Sequence, residues 1–479
     1  MTWDDFIYAF MLILSIFCAF ISNKIQLSFK KYFMSLFGLL FVICVSGTAV
    51  WHSLFVTLIS IGIIGFKLKH FHILVFIFCF GYLIFFRTCH LIGFDRPPSY
   101  SNAIQLVLTL KLVGAAFEIK DSLERERKLK ILLNTIQMED NEIEDLKLEI
   151  KYFNVKSDMI DLFTYSYCFI GLLTGPYFKY RVYLDCSQFS STVYVNRYSE
   201  FWNRLKNAAF IGVAYLFASH FYFIEYAKSD EFYNRSFFYR FVFMSVMFFV
   251  FRMRMYFAWL ISECVCMCAG MGAYPASSVP VPGHGPTNLK GMEPIGDSIA
   301  VSYDTTRNLN ISGCEWAPSV RDGMRSWNMS VQYWLATFVY RRFPIKAYRT
   351  FVTMLVSAFW HGVHPGYYLS FMTIPLSLLA ESALEKVVIG AAPTSSARIR
   401  NANGEWQPSM LIEKSFFIRW FYKMRVFDYC CMGFLLLEAG STLMYWWSIW
   451  FSVHLLMIVL ISMQVAIGQF RRSVSSHSG

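Results

Sequence analysis

His361 lies in a stretch of sequence that is apolar enough to be embedded in a membrane. Residues 357–368 read SAFWHGVHPGYY, with the imidazole near the centre. An ionisable group at that depth is costly and is usually functional. A neutral imidazole can accept and return a proton, which is the chemistry of a general base. A core histidine satisfied by a hydrogen bond is the structural alternative.

Asn328 is the second residue with chemical potential in an apolar setting. We expect it about one turn inside the apolar segment 327–341, where its amide must find hydrogen-bond partners. Segments 327–341 and 348–362 are predicted to form a helical hairpin, which can bring Asn328 and His361 side by side. Asn328 is therefore either a catalytic group or a residue that hydrogen-bonds between membrane helices.

Metal chemistry is not predicted. His364 follows His361 by three residues and lies near the same predicted helix face. Pro365 follows at once, however, and no glutamate lies between the histidines, so the zinc motif His-Glu-x-x-His is absent. The 12 cysteines mostly stand alone in apolar runs. Those at alternate positions within residues 264–268 diverge around a helix, which favours small buried apolar side chains over a metal site.

The composition predicts the elements that position these residues. The 479 residues are 56% hydrophobic, 19% aromatic and only 16% charged, which is too apolar for a soluble globular chain. Apolar runs of spanning or nearly spanning length recur, among them separate runs at 236–251 and 254–273. They give roughly ten to thirteen spans. The fold class is therefore all-α, a polytopic membrane protein with helices around a catalytic chamber.

Charge asymmetry predicts the orientation. Asp4 and Asp5 precede the first span without a Lys or Arg, whereas three lysines within residues 24–31 follow it and Arg471 and Arg472 follow the last span. The N-terminus is thus expected in the lumen and the C-terminus in the cytosol, which requires an odd number of spans, about eleven. The first span has no cleavage site behind it and is expected to stay as a signal-anchor.

Three segments interrupt the membrane pattern and are expected outside the bilayer. Residues 118–157 carry dense mixed charge at helical spacing and predict an amphipathic hairpin. Residues 274–316 are rich in Pro and Gly and predict a partly disordered loop, and residues 391–416 predict a second loop. No internal repeat is visible, which argues against many transporters. We therefore expect one domain over residues 1–479.

Five blocks of the sequence resemble one enzyme family. The chain is similar to the membrane-bound O-acyltransferase family, and in particular to its lysophosphatidylinositol acyltransferase branch, which remodels phospholipids. The blocks lie at residues 165–181, 251–256, 323–332, 357–371 and 424–433. They span most of the chain. The charged hairpin and the Pro/Gly loop resemble the family least and are not expected to carry catalysis.

The resemblance implies acyl transfer from acyl-CoA, as co-substrate, to the sn-2 hydroxyl of a lysophospholipid in the endoplasmic reticulum membrane, with no bound cofactor. His361 would be the general base, contributing a factor of about 10² to 10⁴ in rate. Asn328 would donate to the thioester oxygen or orient the imidazole or the acceptor. The resemblance further implies lysophosphatidylinositol as acceptor and a polyunsaturated, arachidonoyl-like donor. Another lysophospholipid, a sterol, diacylglycerol or a secreted protein are alternative acceptors, and a transporter is the alternative from another class.

Cationic residues at the ends of apolar runs are candidates for the phosphates of CoA or of the headgroup. They are Lys179, Arg181, Arg252, Arg254, Arg321 and Arg325. Arginines that extend from helix ends to the membrane interface explain any one of them equally well. Trp360 is a candidate for the lining of the acyl chamber. The formal charge of +11 suits a polyanionic ligand, whereas no basic stripe with interleaved aromatic residues indicates nucleic acid.

Overall fold

The computed structural model describes residues 3–134, 140–188, 198–292, 300–389, 398–400, 406–408 and 410–477 and is helical almost throughout. The all-α fold class is confirmed. The first helices in chain order are α1 (Trp3–Ser22), α2 (Leu27–Ser46), α3 (Val50–Gly65), α4 (Phe71–Thr88), α5 (Ser99–Leu133), α6 (Asp140–Phe153), α7 (Met159–Ser166), α8 (Tyr180–Gln188), α9 (Tyr198–Phe221) and α10 (Asp230–Tyr233).

The second half of the chain alternates long helices with short elements. They are α11 (Phe237–Ala269), β1 (Tyr274–Pro275), β2 (Val301–Ser302), α12 (Ile311–Trp316), α13 (Val320–Ser326), α14 (Met329–Leu335), α15 (Arg349–His361), α16 (Pro365–Ile389), β3 (Arg398–Arg400), β4 (Trp406–Pro408), α17 (Met410–Leu436), α18 (Ala439–Ser448) and α19 (Ser452–His477). The strands form two antiparallel pairs, β1 with β2 and β3 with β4. A π-helical turn over Ala336–Tyr340 follows α14 directly.

The chain forms two compact units. The first unit comprises Met1–Gly212, Met255–Leu309 and Asn328–Arg342, and the second comprises Val213–Arg254, Asn310–Trp327 and Phe343–Gly479. Helix α11 contributes its first half to the second unit and its second half to the first. Asn328 therefore belongs to the first unit and His361 to the second.

Helix α5 forms the centre of the first unit, where it packs against α2, α3, α4, α6 and α7. Its lysine Lys111 is buried, and the ammonium donates to the backbone carbonyls of Tyr165 and Cys168, each at 3.2 Å. These carbonyls lie at and just beyond the end of α7, where the i→i+4 hydrogen bonds of the helix stop. A buried cation thus satisfies a helix end that water does not reach.

Helix α16 forms the centre of the second unit and packs against α15, α17 and α19. The N–H of Gly366 donates to the carbonyl of Leu437 at 2.6 Å. A Cβ at Gly366 would lie 2.2 Å from the carbonyl oxygen of Gly433. The first turn of α16 can therefore approach α17 this closely only because residue 366 has no side chain.

Six helical stretches within the described residues are long and apolar enough to cross a membrane. They are Leu27–Gly65, Phe71–Ile92, Ser99–Leu133, Ser199–Lys228, Phe237–Ala269 and Ser452–Gln469. A multi-pass architecture is therefore confirmed, whereas the count of about eleven spans stays a prediction. The separate runs predicted at 236–251 and 254–273 are one continuous helix, α11, because its arginines at 252 and 254 do not interrupt helical hydrogen bonding.

The segments predicted to lie outside the bilayer contain more regular structure than expected. Residues 118–133 are not a separate helix but the continuation of α5, and α6 packs back on them as the second helix of the hairpin. Residues 135–139, between the two helices in the sequence, lie outside the described residues. Residues 274–316, expected to be partly disordered, hold β1, β2 and α12, and only 293–299 lie outside the described residues.

The predicted loop at 391–416 contains the pair β3 and β4, and α17 begins inside it at Met410. Residues 390–397, 401–405 and 409 lie outside the described part of the chain. The side chains of Asp4, Asp5, Arg471 and Arg472, on which the predicted orientation depends, are also outside it.

Candidate active site

Asn328 lies in a turn between two short helices. It follows α13 by two residues and is the N-cap of α14, with φ 46° and ψ 53° in the left-handed region. Asparagine is among the few residues with a side chain that adopt this conformation readily. Asn328 was expected about one turn inside the apolar segment 327–341, but the helix of this segment starts only after it, because the left-handed residue breaks the helical path.

The two residues after Asn328 are held by one buried asparagine, Asn308. The N–H of Met329 donates to the backbone carbonyl of Asn308 at 2.8 Å. The N–H and the hydroxyl of Ser330 donate to the side-chain oxygen of Asn308 at 3.2 and 2.6 Å. The Ser330 hydroxyl also accepts the N–H of Tyr177 at 3.0 Å. Asn308 and Ser330 are fully buried, so these bonds have no competition from water.

A buried carboxylate holds Asn308 in turn. Glu263 on α11 accepts the N–H groups of Asn308 and Leu309 at 2.6 and 3.0 Å through one oxygen. Its other oxygen pairs with Arg204 on α9. The turn at Asn328 is thus the end of a continuous polar network within the first unit.

His361 is the last residue of α15. The helix ends there because Gly362 takes an extended conformation, with its N–H donating to the carbonyl of Ala358 at 3.0 Å, and because Pro365 begins the next helix. The negative end of a helix dipole favours a positive charge at this position. An imidazole that takes up a proton at the end of α15 is therefore stabilised as its charge develops.

Aromatic rings surround the half-buried imidazole of His361. Phe371 on α16 stacks on it at 5.2 Å between centroids, and Phe434 on α17 meets it edge to face at 5.0 Å. Trp360 and Tyr367 lie at 4.7 and 6.0 Å. A Cβ at Gly362 would lie 2.4 Å from the ring of Tyr367, so the glycine lets this ring close on the site. The rings therefore limit the access of water to the imidazole.

A series of aromatic contacts extends from this position within the second unit. Phe434 lies 5.4 Å from Phe251 on α11, and Phe251 stacks on Trp327 at 6.1 Å. Trp327 is the last residue of its segment in the second unit, and Asn328 follows it in the sequence. These ring contacts of the second unit therefore end at Trp327, the residue that precedes Asn328 in the sequence.

The six candidate cations are not equivalent. Arg181 is paired with Asp185 at 2.8 Å and Arg252 with Glu315 at 3.0 Å, whereas Lys179 lies 5.1 Å over the ring of Phe153. The other three side chains are exposed: Arg254, Arg321 and Arg325. Lys179 and Arg181 belong to the first unit and the four arginines from 252 to 325 to the second. The structure therefore does not gather them in one described unit.

Comparison of the sequence with known proteins places the chain in a family. The model of the membrane-bound O-acyltransferase family matches residues 98–406, a region that includes both Asn328 and His361. The chain belongs to the membrane-bound O-acyltransferase family. The family resemblance of the sequence is thereby confirmed, and with it a multi-pass membrane protein.

Several members of the family are similar over nearly the whole chain. The membrane-bound acylglycerophosphatidylinositol O-acyltransferase MBOAT7 of Mus musculus is 37% identical over 476 residues, which is 98% of this chain and 95% of the relative. The protein of that name from Homo sapiens is 36% identical over 474 residues, with the same coverage. The Danio rerio protein is 37% identical over 477 residues, again covering 98% and 95%.

Sequence reasoning missed the residues that hold the two candidates in this O-acyltransferase. Glu263 carried a usable signal, because an acid inside the apolar run 254–273 is as conspicuous as a histidine in one. Asn308 carried none, since it lies in a polar segment. Phe371 and Phe434 were two of 49 phenylalanines.

The relation of His361 to His364 also differs from the expectation. His361 ends α15, so His364 lies in the link before α16 and not on the same helix face. His364 is exposed. Among the described residues no group of three or more His, Cys, Asp or Glu is arranged to hold a metal ion.

Proposed function

We propose that this protein transfers an acyl chain from acyl-CoA to the sn-2 hydroxyl of lysophosphatidylinositol. The observation that carries the proposal is the similarity, over 95% or more of both chains, to relatives named acylglycerophosphatidylinositol O-acyltransferases. The matched family region contains both His361, whose imidazole can accept a proton, and Asn328, whose amide can donate a hydrogen bond. We further propose a polyunsaturated acyl donor, which rests on the resemblance alone.

His361 is the proposed general base. A secondary hydroxyl is a poor nucleophile until its proton is removed. The imidazole takes that proton as the hydroxyl oxygen attacks the thioester carbonyl, and the C–S bond then breaks. The CoA thiolate recovers a proton from the imidazolium. The end of α15 and the ring of Phe371 stabilise the cation between these two steps. No covalent enzyme intermediate and no bound cofactor is needed.

Asn328 is proposed to donate from its amide to the oxygen that becomes negative in the transition state. Such a donor is effective when it is held before the charge develops. The network from Arg204 through Glu263 and Asn308 holds the turn at Asn328 in this way. An alternative role for the same amide, orientation of the acceptor hydroxyl, requires the same fixed turn.

Phosphate recognition is proposed for the cations that can bind an anion without breaking an existing ion pair with a partly buried carboxylate. Arg181 and Arg252 would have to exchange a carboxylate partner for a phosphate, and this costs about as much as it gains. Lys179 lies over an aromatic ring and Arg254, Arg321 and Arg325 are exposed, so each can bind an anion without breaking a buried pair. Trp360, buried beside His361, is proposed to line the acyl chamber.

We propose the endoplasmic reticulum membrane as the location, with a lumenal N-terminus and a cytosolic C-terminus. The charge asymmetry of the terminal segments supports this orientation. In sealed microsomes, protease added from outside should remove a C-terminal tag before detergent is added. Protection of the tag would reverse the orientation.

A lysolipid panel tests the proposed activity. Purified protein in detergent micelles is given arachidonoyl-CoA with equal concentrations of lysophosphatidylinositol, lysophosphatidylcholine, lysophosphatidylserine and lysophosphatidylethanolamine. The inositol lipid should give the highest kcat/KM, because a choline headgroup would bring a cation towards the arginines. His361→Ala is the control for contaminating activity. Equal kcat/KM for the choline and inositol lipids would contradict the proposed specificity.

A further inference from the structure

We infer that Glu263 is a positioning residue for Asn328, and that it acts through Asn308. The inference rests on the proposed function, in which the Asn328 amide contacts the reacting atoms. Glu263 itself lies two hydrogen-bonded steps away from Asn328 and touches no substrate. Its role is to fix the backbone from which the amide projects.

The Glu263 carboxylate is buried, and burial of a charge costs free energy unless the charge is paired and hydrogen-bonded. Glu263 is only 1% exposed and lies in the membrane-length helix α11. A buried carboxylate requires both hydrogen bonds and a counter-charge. Two backbone N–H groups, of Asn308 and Leu309, and the guanidinium of Arg204 supply them. One ionic group therefore fixes the backbone at 308–309 with charge-assisted bonds, which are stronger than neutral ones.

Asn308 passes this constraint on to the turn. Its backbone carbonyl holds the N–H of Met329, and its side-chain oxygen holds both donors of Ser330. Both residues directly after Asn328 are thus fixed to the same asparagine. The carbonyl of Asn328 accepts from the N–H groups of Val331 and Gln332, at 3.1 and 3.0 Å, which fixes the start of α14 as well. The left-handed conformation of Asn328 is held from its C-terminal side.

The kinetic test separates positioning from general stability. Glu263→Ala should lower kcat by about 10²-fold, since displacement of a catalytic group by about 1 Å has that effect. The KM for both substrates should stay within a factor of about three, because only an interaction made in the transition state is lost. Glu263→Gln keeps an oxygen that can accept the two N–H groups, so its kcat should be about tenfold higher than that of Glu263→Ala. Glu263→Ala that folds with unchanged kcat would overturn the inference.

A double-mutant cycle tests the path through Asn328. If Glu263 acts only by positioning that residue, Glu263→Ala should cause little further loss of kcat in the Asn328→Ala background. Loss equal to the product of the two single effects would overturn the inference. Full activity of Asn328→Ala alone would instead overturn the role of Asn328 in the proposed function. The two failures are therefore distinguishable.

A matched control is available in the second unit. Glu385 pairs with the buried Arg419 at 2.8 Å between α16 and α17, so it joins two helices as Glu263 and Arg204 do. No bond links this pair to the segments around His361 or Asn328 in the described network. Glu385→Ala should lower thermal stability with kcat unchanged. Thermal melting of all variants in the same detergent shows which losses of activity are losses of fold, and a folded Glu385→Ala protein with a kcat as low as that of Glu263→Ala would overturn the assignment.

Discussion

Asn328 and His361 are held in place by different kinds of interaction. Around Asn328 the contacts are directional hydrogen bonds that lead through Asn308 to Glu263. Around His361 the contacts are ring faces and edges, principally Phe371 and Phe434. The first arrangement fixes a backbone conformation, whereas the second fixes the position and surroundings of an imidazole.

The difference predicts unequal tolerance to substitution. Removing one member of a buried hydrogen-bond network leaves its partners unsatisfied and costs about 1 to 3 kcal/mol for each. Apolar replacements that nearly conserve volume usually cost less than about 1.5 kcal/mol. Supporting residues around Asn328 should therefore be more sensitive than those around His361. The candidate residues themselves should be the most sensitive of all.

The largest effect is expected for His361→Ala. Loss of the base should lower kcat by about 10² to 10⁴-fold, with the protein still folded and inserted. His364→Ala is the matched control, because this exposed histidine lies three residues away and has no proposed role. Acyl transfer by purified variants at equal concentration is the measurement. His361→Ala activity within about tenfold of the wild type would exclude the general-base role.

Substitutions at Asn328 separate its side chain from its backbone. Asn328→Gly keeps the left-handed conformation at no steric cost and removes only the amide, whereas Asn328→Ala adds strain of about 1 kcal/mol. If the amide contacts the transition state, both variants should lose about 10² to 10³-fold in kcat. Activity in Asn328→Gly close to that of the wild type would mean that the residue serves the turn alone. The thermal stability of the glycine variant should exceed that of the alanine variant.

Two supporting residues compare the regions directly. Ser330→Ala removes the donor to Asn308 and the acceptor of the Tyr177 N–H, so it leaves buried groups unsatisfied. We expect it to lower kcat by about tenfold and to reduce stability by about 1 to 3 kcal/mol. Phe434→Leu changes the shape of an apolar contact and should lower kcat by less, about threefold. The opposite order in a side-by-side assay would contradict the proposed difference between the regions.

The surroundings of Asn328 and His361 also differ in how well the sequence predicts them. His361 was recognisable because an imidazole in an apolar run is unusual. The position of Asn328 was predicted wrongly, because the pattern of apolar residues shows where a helix is possible but not the left-handed residue that delays its start. The network that holds its turn comes from residues 204, 263 and 308, and hydrogen bonds between residues so far apart in the sequence leave no local pattern.

The helical, membrane-embedded fold was predictable from composition, since 56% hydrophobic residues exceed what an aqueous core can hide. The boundaries of the individual helices were harder to predict. The charged residues 118–133 continue α5 because oppositely charged side chains at i,i+4 spacing, such as Lys120 and Glu124, stabilise a helix that is exposed to water. The division of α11 between two compact units has no sequence signal, because it depends on contacts with distant segments.

The smallest expected effect is that of a substitution at His284 on stability. His284 is a second histidine enclosed by aromatic rings. It meets Phe153 and Tyr333 edge to face at 5.3 and 5.6 Å, which resembles the surroundings of His361. Burial, and then the charge of Lys179, lower the pKa of His284 from 6.5 to about 4. The enclosure of an imidazole by rings therefore does not by itself make a base, because burial, and then the charge of Lys179, oppose protonation at His284.

This contrast gives a pH prediction for stability rather than activity. Between pH 6.5 and about 4 the unfolded chain protonates residue 284 and the folded chain does not, so the neutral imidazole contributes stability that is lost as the pH falls. His284→Gln cannot titrate, and its melting temperature should fall less between pH 7 and pH 5 than that of the wild type. A fall equal to that of the wild type would mean that other groups carry the dependence. The effect of an aromatic enclosure on an imidazole would then have to be judged from Phe434→Leu, which changes a ring beside His361.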